Sequence, residues 1–336
     1  MRPARPSRLV AAEPAGARTR SARPPRLVAL GDLLLDVVVI AARPIERGTD
    51  VPGRVAFRRG GSAANTCAAF VRAGGRATLV TCLGQDAWAS RLVSSLREDG
   101  VQVRSVRRAG PSGRLAALVE AGGERSFITQ RGMADGLRSS DLRVAWLTGA
   151  SVLHVPAYSL LAEPIGSAAL RAAELARAAG AIVSTDLSSR GPLLELGVAE
   201  AFQRVRALAP DVLFANRVEA ATLLGRRSTA ALAGLLELAP LAVVKDGRSG
   251  ARVLWRDASG GGVLQIDVAA KRLTVPDTTG AGDAFAAGFL HVLATDRLDA
   301  RSGEAPSAAA LRRAALAGHR AASEALRRGR PEIELR

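Results

Sequence analysis

Aromatic residues make up only 3% of the 336 positions, and lysine occurs only at Lys245 and Lys271. Cysteine is confined to Cys67 and Cys82, which is too few for a disulfide framework and suits a reducing cytoplasm. No apolar run reaches the roughly 20 residues of a membrane-spanning helix, because charges or glycines interrupt each stretch. The segment from Met1 to about Arg23 is rich in Arg, Pro and Ala and lacks the continuous apolar core of a secretory signal. A disordered tail over residues 1–25 is therefore expected. Acidic residues are outnumbered, 31 against 47 basic ones, giving a net charge of +16. Such an excess invites a nucleic-acid reading through counterion release. The arginines, however, are spread among alanines on helical stretches, and the shortage of aromatics removes stacking platforms for single strands.

With 48% hydrophobic residues the chain can bury a sizeable core. An apolar strand, a Gly31-Asp32 interruption and a β-branched run Val37–Ile40 open the folded part and are read together as the first strand of a sheet. Short apolar runs follow at 77–83, 152–155, 181–185, 212–214 and 241–244. Alanine- and leucine-rich stretches at helical spacing lie between many of them, including 63–73, 88–98, 167–179 and 199–207. This alternation predicts a mainly parallel, doubly wound α/β sheet with helices on both faces and ligands bound beyond the carboxyl ends of its strands. Residues 44–59 and 113–131 break the alternation with short extended pieces and a Gly122-Gly123 turn. They are read either as a small projecting β sheet or as surface hairpins. Gly260-Gly261-Gly262 reads as another hairpin turn.

The segment richest in chemistry is Asp277-Thr-Thr-Gly-Ala-Gly-Asp283. Gly280, Ala281 and Gly282 let backbone N–H groups approach an anion at the start of a following helix, whose N-terminus carries positive charge. A carboxylate beside such a cradle is either a helix cap or a group with work to do, such as taking a proton from an attacking hydroxyl. A second glycine turn, Gly60-Gly61, leads into an alanine-rich helix that carries Asn65, a donor and acceptor suited to a polyol hydroxyl or else a helix cap.

Together these two segments resemble the paired signatures of the ribokinase-like, or PfkB, family of carbohydrate and nucleoside kinases, over about residues 26–330. Cys67 stands where that family usually has Ser, Thr or Ala. The resemblance implies a three-layer α/β kinase with a small β-sheet lid from segments near 41–59 and 112–131, using ATP and Mg²⁺. It implies that Asp283 is the base, with the turn Gly280-Ala281-Gly282 as the anion hole, and that Asp36, Gly60, Gly61 and Asn65 bind the acceptor. Asn216, Lys245, Gly247, Gly250 and Gly282 match nucleotide-binding positions, Glu219 a magnesium position acting through water, and Asp277 and Thr279 a monovalent-cation site such as one for K⁺. Without the resemblance, Asn216 and Glu219 read as a cap and an exposed first-turn acid. Asp186 and the lid arginines Arg125 and Arg131 are further candidates, the arginines for an acceptor carboxylate or phosphate.

Ribose is disfavoured, since Ser62 stands where ribokinases carry Lys and 154–158 holds no acid. Phe57, Phe127 and Tyr158 are the main aromatics available to a nucleoside base. The expected acceptor is a small sugar or sugar acid, with a nucleoside kinase, a regulator without catalysis and a basic nucleic-acid binder as alternatives. A homodimer formed through the lids is a further expectation.

Overall fold

The computed structural model describes residues 23–119, 125–256, 262–273, 275, 277–297 and 306–335. The readings of the N-terminal tail up to residue 22, the Gly122-Gly123 turn and Gly260-Gly261 lie outside them. The strands are β1 (Arg26–Leu30), β2 (Leu34–Ala41), β3 (Gly53–Gly60), β4 (Arg76–Leu83), β5 (Gln102–Arg107), β6 (Arg114–Val119), β7 (Arg125–Gln130), β8 (Val152–Pro156), β9 (Ile182–Asp186), β10 (Val212–Asn216), β11 (Leu241–Lys245), β12 (Ala251–Arg256) and β13 (Val263–Val268). The helices are α1 (Ser62–Arg72), α2 (Ala87–Glu98), α3 (Val144–Leu147), α4 (Ala157–Leu160), α5 (Ile165–Ala178), α6 (Arg190–Leu196), α7 (Val198–Leu208), α8 (Arg217–Leu224), α9 (Ala281–Thr295) and α10 (Ala308–Arg328).

Nine strands form one sheet in the order β13-β12-β11-β10-β9-β8-β1-β4-β5. It is parallel from β11 through β5, with β12 and β13 as an antiparallel edge. Every residue of β8 and β9 is buried, which requires cover on both faces and explains their short apolar stretches, interrupted by the buried polar residues His154, Ser184, Thr185 and Asp186. One face packs Phe70 of α1, Leu92 of α2, Phe289 of α9 and Leu311 of α10; the other packs Ala172 of α5, Val205 of α7 and Leu223 of α8. The result is the three-layer α/β arrangement expected.

A second sheet, β3-β2-β6-β7, stands apart. It corrects the reading of Val37–Ile40, which extends no main-sheet strand but lies in β2, where Val37 pairs with Phe57 and Ala116. The cause is local. The Asp32 carbonyl accepts a hydrogen bond from Ala64 N at 3.3 Å and its carboxylate one from Ala63 N at 3.2 Å, so the link after β1 is committed to the start of α1 and the chain turns. The small sheet thus begins at Leu34, before the segment marked from the sequence. Among the described residues no helix is long and apolar enough to cross a membrane.

The topology brings several separated residues to one edge. Pro156 stands opposite Asp186, and Asn216 opposite Lys245, so the ends of β8 to β11 meet at the carboxyl edge of the sheet. Helices α1 and α9 pack against each other over the same face.

Candidate active site

The turn before α9 is shaped by Asp277, whose Oδ1 accepts Thr279 N at 2.9 Å. Gly280 follows in the left-handed region at φ 81°, and the helix begins at Ala281. Phe289, fully buried, meets Phe214 of β10 edge-on at 5.5 Å and stacks on Phe285 at 6.2 Å. That aromatic seat fixes where the N-terminus of α9 points.

Asp283 lies in the first turn of α9 and makes no cap to its own helix. Its Oδ1 accepts the Ser62 hydroxyl at 2.6 Å and its Oδ2 the Asn65 amide at 3.0 Å, so the capping alternative gives way to a contact between helices. Burial pushes its carboxyl up to about 6; the two hydrogen bonds oppose that, Asp186 adds to it and Lys245 offsets it.

Helix α1 begins at Ser62 because two glycines admit it. A Cβ on Gly60 would fall on the Asp36 carboxylate, and Gly61 sits at φ 103° with its open side against the Asp32 carbonyl. Asn65 N bonds Gly61 O at 2.9 Å. Asn65 is therefore one turn inside α1 rather than its cap, with its side chain on Asp283. Gly60, Gly61, Asn65, Asp36 and Asp283 thus form one continuous wall.

On the other side of the turn, Lys245 at the end of β11 is ion-paired with Asp186 at the end of β9. Its Nζ stands 3.1 Å from where a Cβ of Gly282 would be, so the ammonium lies over the Gly280-Ala281-Gly282 turn. Asp186, one of the open candidates, is 2% exposed and lies beside Lys245 at the same edge of the sheet. Asn216 and Glu219 form a reciprocal capping box on α8: Glu219 N donates to Asn216 Oδ1 at 2.9 Å, while Asn216 N and Nδ2 donate to the Glu219 carboxylate at 2.7 and 2.6 Å. The cap therefore holds, but the expectation of an exposed acid does not: Glu219 is 3% exposed. Its carboxyl is pushed up to about 7, mainly by burial, with Lys245 opposing and Asp186 reinforcing. Gly247 and Gly250 form the turn between β11 and β12, where Asp246 N bonds Gly250 O at 2.8 Å.

The buried carboxyls of Asp186 and Glu219 and the half-buried one of Asp283 stand around one ammonium, an acidic set that fits a divalent cation. Among the described residues no three acidic, His or Cys side chains converge closely enough to hold a metal alone. Such a donor set suits Mg²⁺, which keeps waters and takes phosphate oxygens as ligands.

Asp36, 5% exposed, is ion-paired with Arg330, and burial raises its carboxyl while Arg330 opposes the rise. Arg330 also reaches Asp277 Oδ2 at 3.4 Å, and Arg58 reaches the same oxygen at 3.1 Å. Arg131 is already committed: it bonds Asp32 at 3.0 Å and Asp135 at 2.7 Å and lies over the Tyr158 ring at 5.3 Å. The side chain of Arg125 lies outside the described residues.

Comparison with known proteins decides the family. The pattern of the pfkB family carbohydrate kinases matches residues 25–332. The chain belongs to that family. This pfkB-family chain is 33% identical over 281 residues to fructokinase-1 of Oryza sativa subsp. japonica, covering 80% of this chain and 83% of the relative. Its fold matches a fructokinase of Xylella fastidiosa with bound ATP at 27% identity and TM-score 0.72, covering 88% and 91% of the two chains. It also matches the adenosine kinase of Sinorhizobium meliloti at 25% identity and TM-score 0.75, covering 91% and 94%. The pfkB chain is thus an ATP-dependent carbohydrate kinase. Ser62 lies inside the first signature but carries no motif role, and Arg58 and Arg330 lie outside both signatures. Ser62 is visible in the sequence only as the absence of a lysine; Arg58 stands two residues before Gly60 with no motif to mark it, and Arg330 lies far from either signature.

Proposed function

We propose that the chain transfers the γ-phosphoryl group of ATP to a hydroxyl of a neutral sugar, with Asp283 as the base. The observation that carries this is a carboxyl in the first turn of α9, following the 280–282 turn, held by two donors from α1 and pushed up to about 6 by burial. Asp283 takes the hydroxyl proton, the freed oxygen attacks the γ-phosphorus, and the bond to the β,γ-bridging oxygen breaks to leave ADP. The amides of Gly280, Ala281 and Gly282 receive the charge on the transferring group, and Lys245 faces the same position. Mg²⁺, when bound, neutralises phosphate charge. Glu219 and Asp186 would hold it through water, while Asn216 orients Glu219. Gly247 and Gly250 shape the loop that borders the nucleotide.

Asp36 and Asn65 bind acceptor hydroxyls against the bare backbone of Gly60 and Gly61. A neutral sugar is favoured over a sugar acid because Arg131, Arg58 and Arg330 each already pair with carboxylates. A sugar is favoured over a nucleoside because, of the three candidate aromatics, Phe57 packs on Trp88 at 4.9 Å and Arg131 covers Tyr158, while Phe127 lies exposed on the small sheet. The test is an ATP-consumption screen over fructose, ribose, 2-keto-3-deoxygluconate, adenosine, inosine and pseudouridine. Fructose-type turnover is expected, and turnover confined to a nucleoside overturns the acceptor assignment.

The same reading pairs two copies through the small sheet. That sheet exposes Val55 and Ile128 on one face and Phe127 on the other. Light scattering at the mass of a single chain contradicts this.

A further inference from the structure

The resemblance to the family marks Asp277 and Thr279 for a monovalent cation, but the side chains around Asp277 do not fit one. Its Oδ1 accepts Thr279 N, and its Oδ2 accepts Arg58 Nη1 at 3.1 Å and Arg330 Nη2 at 3.4 Å. A cation close enough to coordinate Oδ2 would stand against two guanidinium groups, and like charges at such separations repel. Arg58 and Arg330 already bring two guanidinium groups to Asp277, Arg330 pairing with Asp36 as well.

Arg330 is held in place by the chain after α10. Gly329 ends α10 at φ 67°, which turns the chain back. Glu332 then bridges to Arg58 of β3, and Ile333 N bonds Phe57 O at 2.8 Å. Ile333 is 2% exposed, and Glu334 O accepts Arg91 Nε of α2 at 3.0 Å. This docked segment seats Arg330, with 14% of its side chain exposed, between Asp36 and Asp277.

We propose that Arg330 and Arg58 together replace the monovalent cation, so that this kinase needs none. The inference rests on the kinase reading of the site. The position explains what the charge does there: Asp277 Oδ1 holds Thr279 N, and the turn runs directly into Gly280-Ala281-Gly282. A positive charge on Oδ2 fixes the carboxylate that shapes the anion hole. Here the chain itself supplies that charge, and the same guanidinium ties the turn to Asp36 on the acceptor side. Arg330 is a positioning residue for both.

The test compares turnover of the accepted sugar in KCl and in tetramethylammonium chloride at constant ionic strength. The expected result is the same rate in both, with Arg330→Met lowering kcat in tetramethylammonium and regaining rate as K⁺ is added. Arg330→Lys, which keeps the charge, remains independent of K⁺. Saturable activation of the unaltered enzyme by K⁺ overturns the proposal, as does an Arg330→Met variant with unchanged kcat. A second readout needs no acceptor: the melting temperature of the unaltered chain with ATP and Mg²⁺ is expected to be the same in both salts, and a rise specific to K⁺ overturns the proposal. Absence of turnover with every acceptor in both salts sinks the kinase reading instead, while the melting comparison still decides the cation.

Discussion

Replacing Ser62 by Ala removes the shortest hydrogen bond to the base, the 2.6 Å contact to Asp283 Oδ1. A hydrogen bond to a charged group contributes about 1.5–3 kcal/mol, and 1.36 kcal/mol corresponds to one pH unit of a carboxyl's titration. Ser62 donates to the ionised form, so its loss raises the pKa of Asp283 from about 6. Allowing for a water that takes the vacated place, the rise is about one pH unit. A base must be ionised, and the acid limb of the kcat/KM profile therefore moves from about pH 6 to about pH 7. At pH 6 the variant keeps about one fifth of the parent rate, at pH 7 about half, and above pH 8 the two converge. The assay is a coupled measurement of ADP release from pH 5 to 9 with saturating Mg²⁺. An acid limb that stays in place in Ser62→Ala refutes the assignment of the limb to Asp283, or of the hydroxyl as its donor.

Other expectations concern the flanking residues. Glu219→Gln keeps an acceptor for Asn216 N but loses the one for Asn216 Nδ2, so melting falls modestly while apparent Mg²⁺ affinity falls about 10- to 100-fold; an unchanged Mg²⁺ titration contradicts the metal role. Lys245→Met leaves Asp186, Glu219 and Asp283 without their ammonium, so the Asp283 and Glu219 carboxyls titrate at higher pH. The acid limb then rises and KM for ATP increases, and a variant with parental kinetics rules out Lys245 at the phosphates. Phe289→Ala opens a cavity beneath α9 and costs about 3–5 kcal/mol, read in urea unfolding; a loss below about 1 kcal/mol removes the aromatic seat from the account.

The layered fold was legible because strands buried on both faces read as short apolar runs separated by alanine-rich helices, a pattern set by burial alone. Asp283, Asn65 and the glycine turns were legible because backbone approach to an anion demands small residues at fixed spacing. Val37–Ile40 misled because β-branched residues favour strands without saying which sheet they join. That choice is made by the Asp32 carbonyl and carboxylate bonding α1. Arg330 was illegible for a different reason. It lies 294 residues from Asp36, and its place depends on the docking of Ile333 and Glu332 against β3, which no local pattern encodes. Asn216 and Glu219 show the reverse case, in which the cap and the candidate metal role are properties of the same two side chains.

The central claim is that Asp283 takes the proton from the acceptor hydroxyl. Its most direct test is Asp283→Asn, assayed for sugar phosphorylation beside a separate measurement of ATP binding. The account predicts parental ATP affinity with turnover reduced on the order of 100-fold or more. Turnover within about twofold of the parent, with ATP still bound, contradicts it.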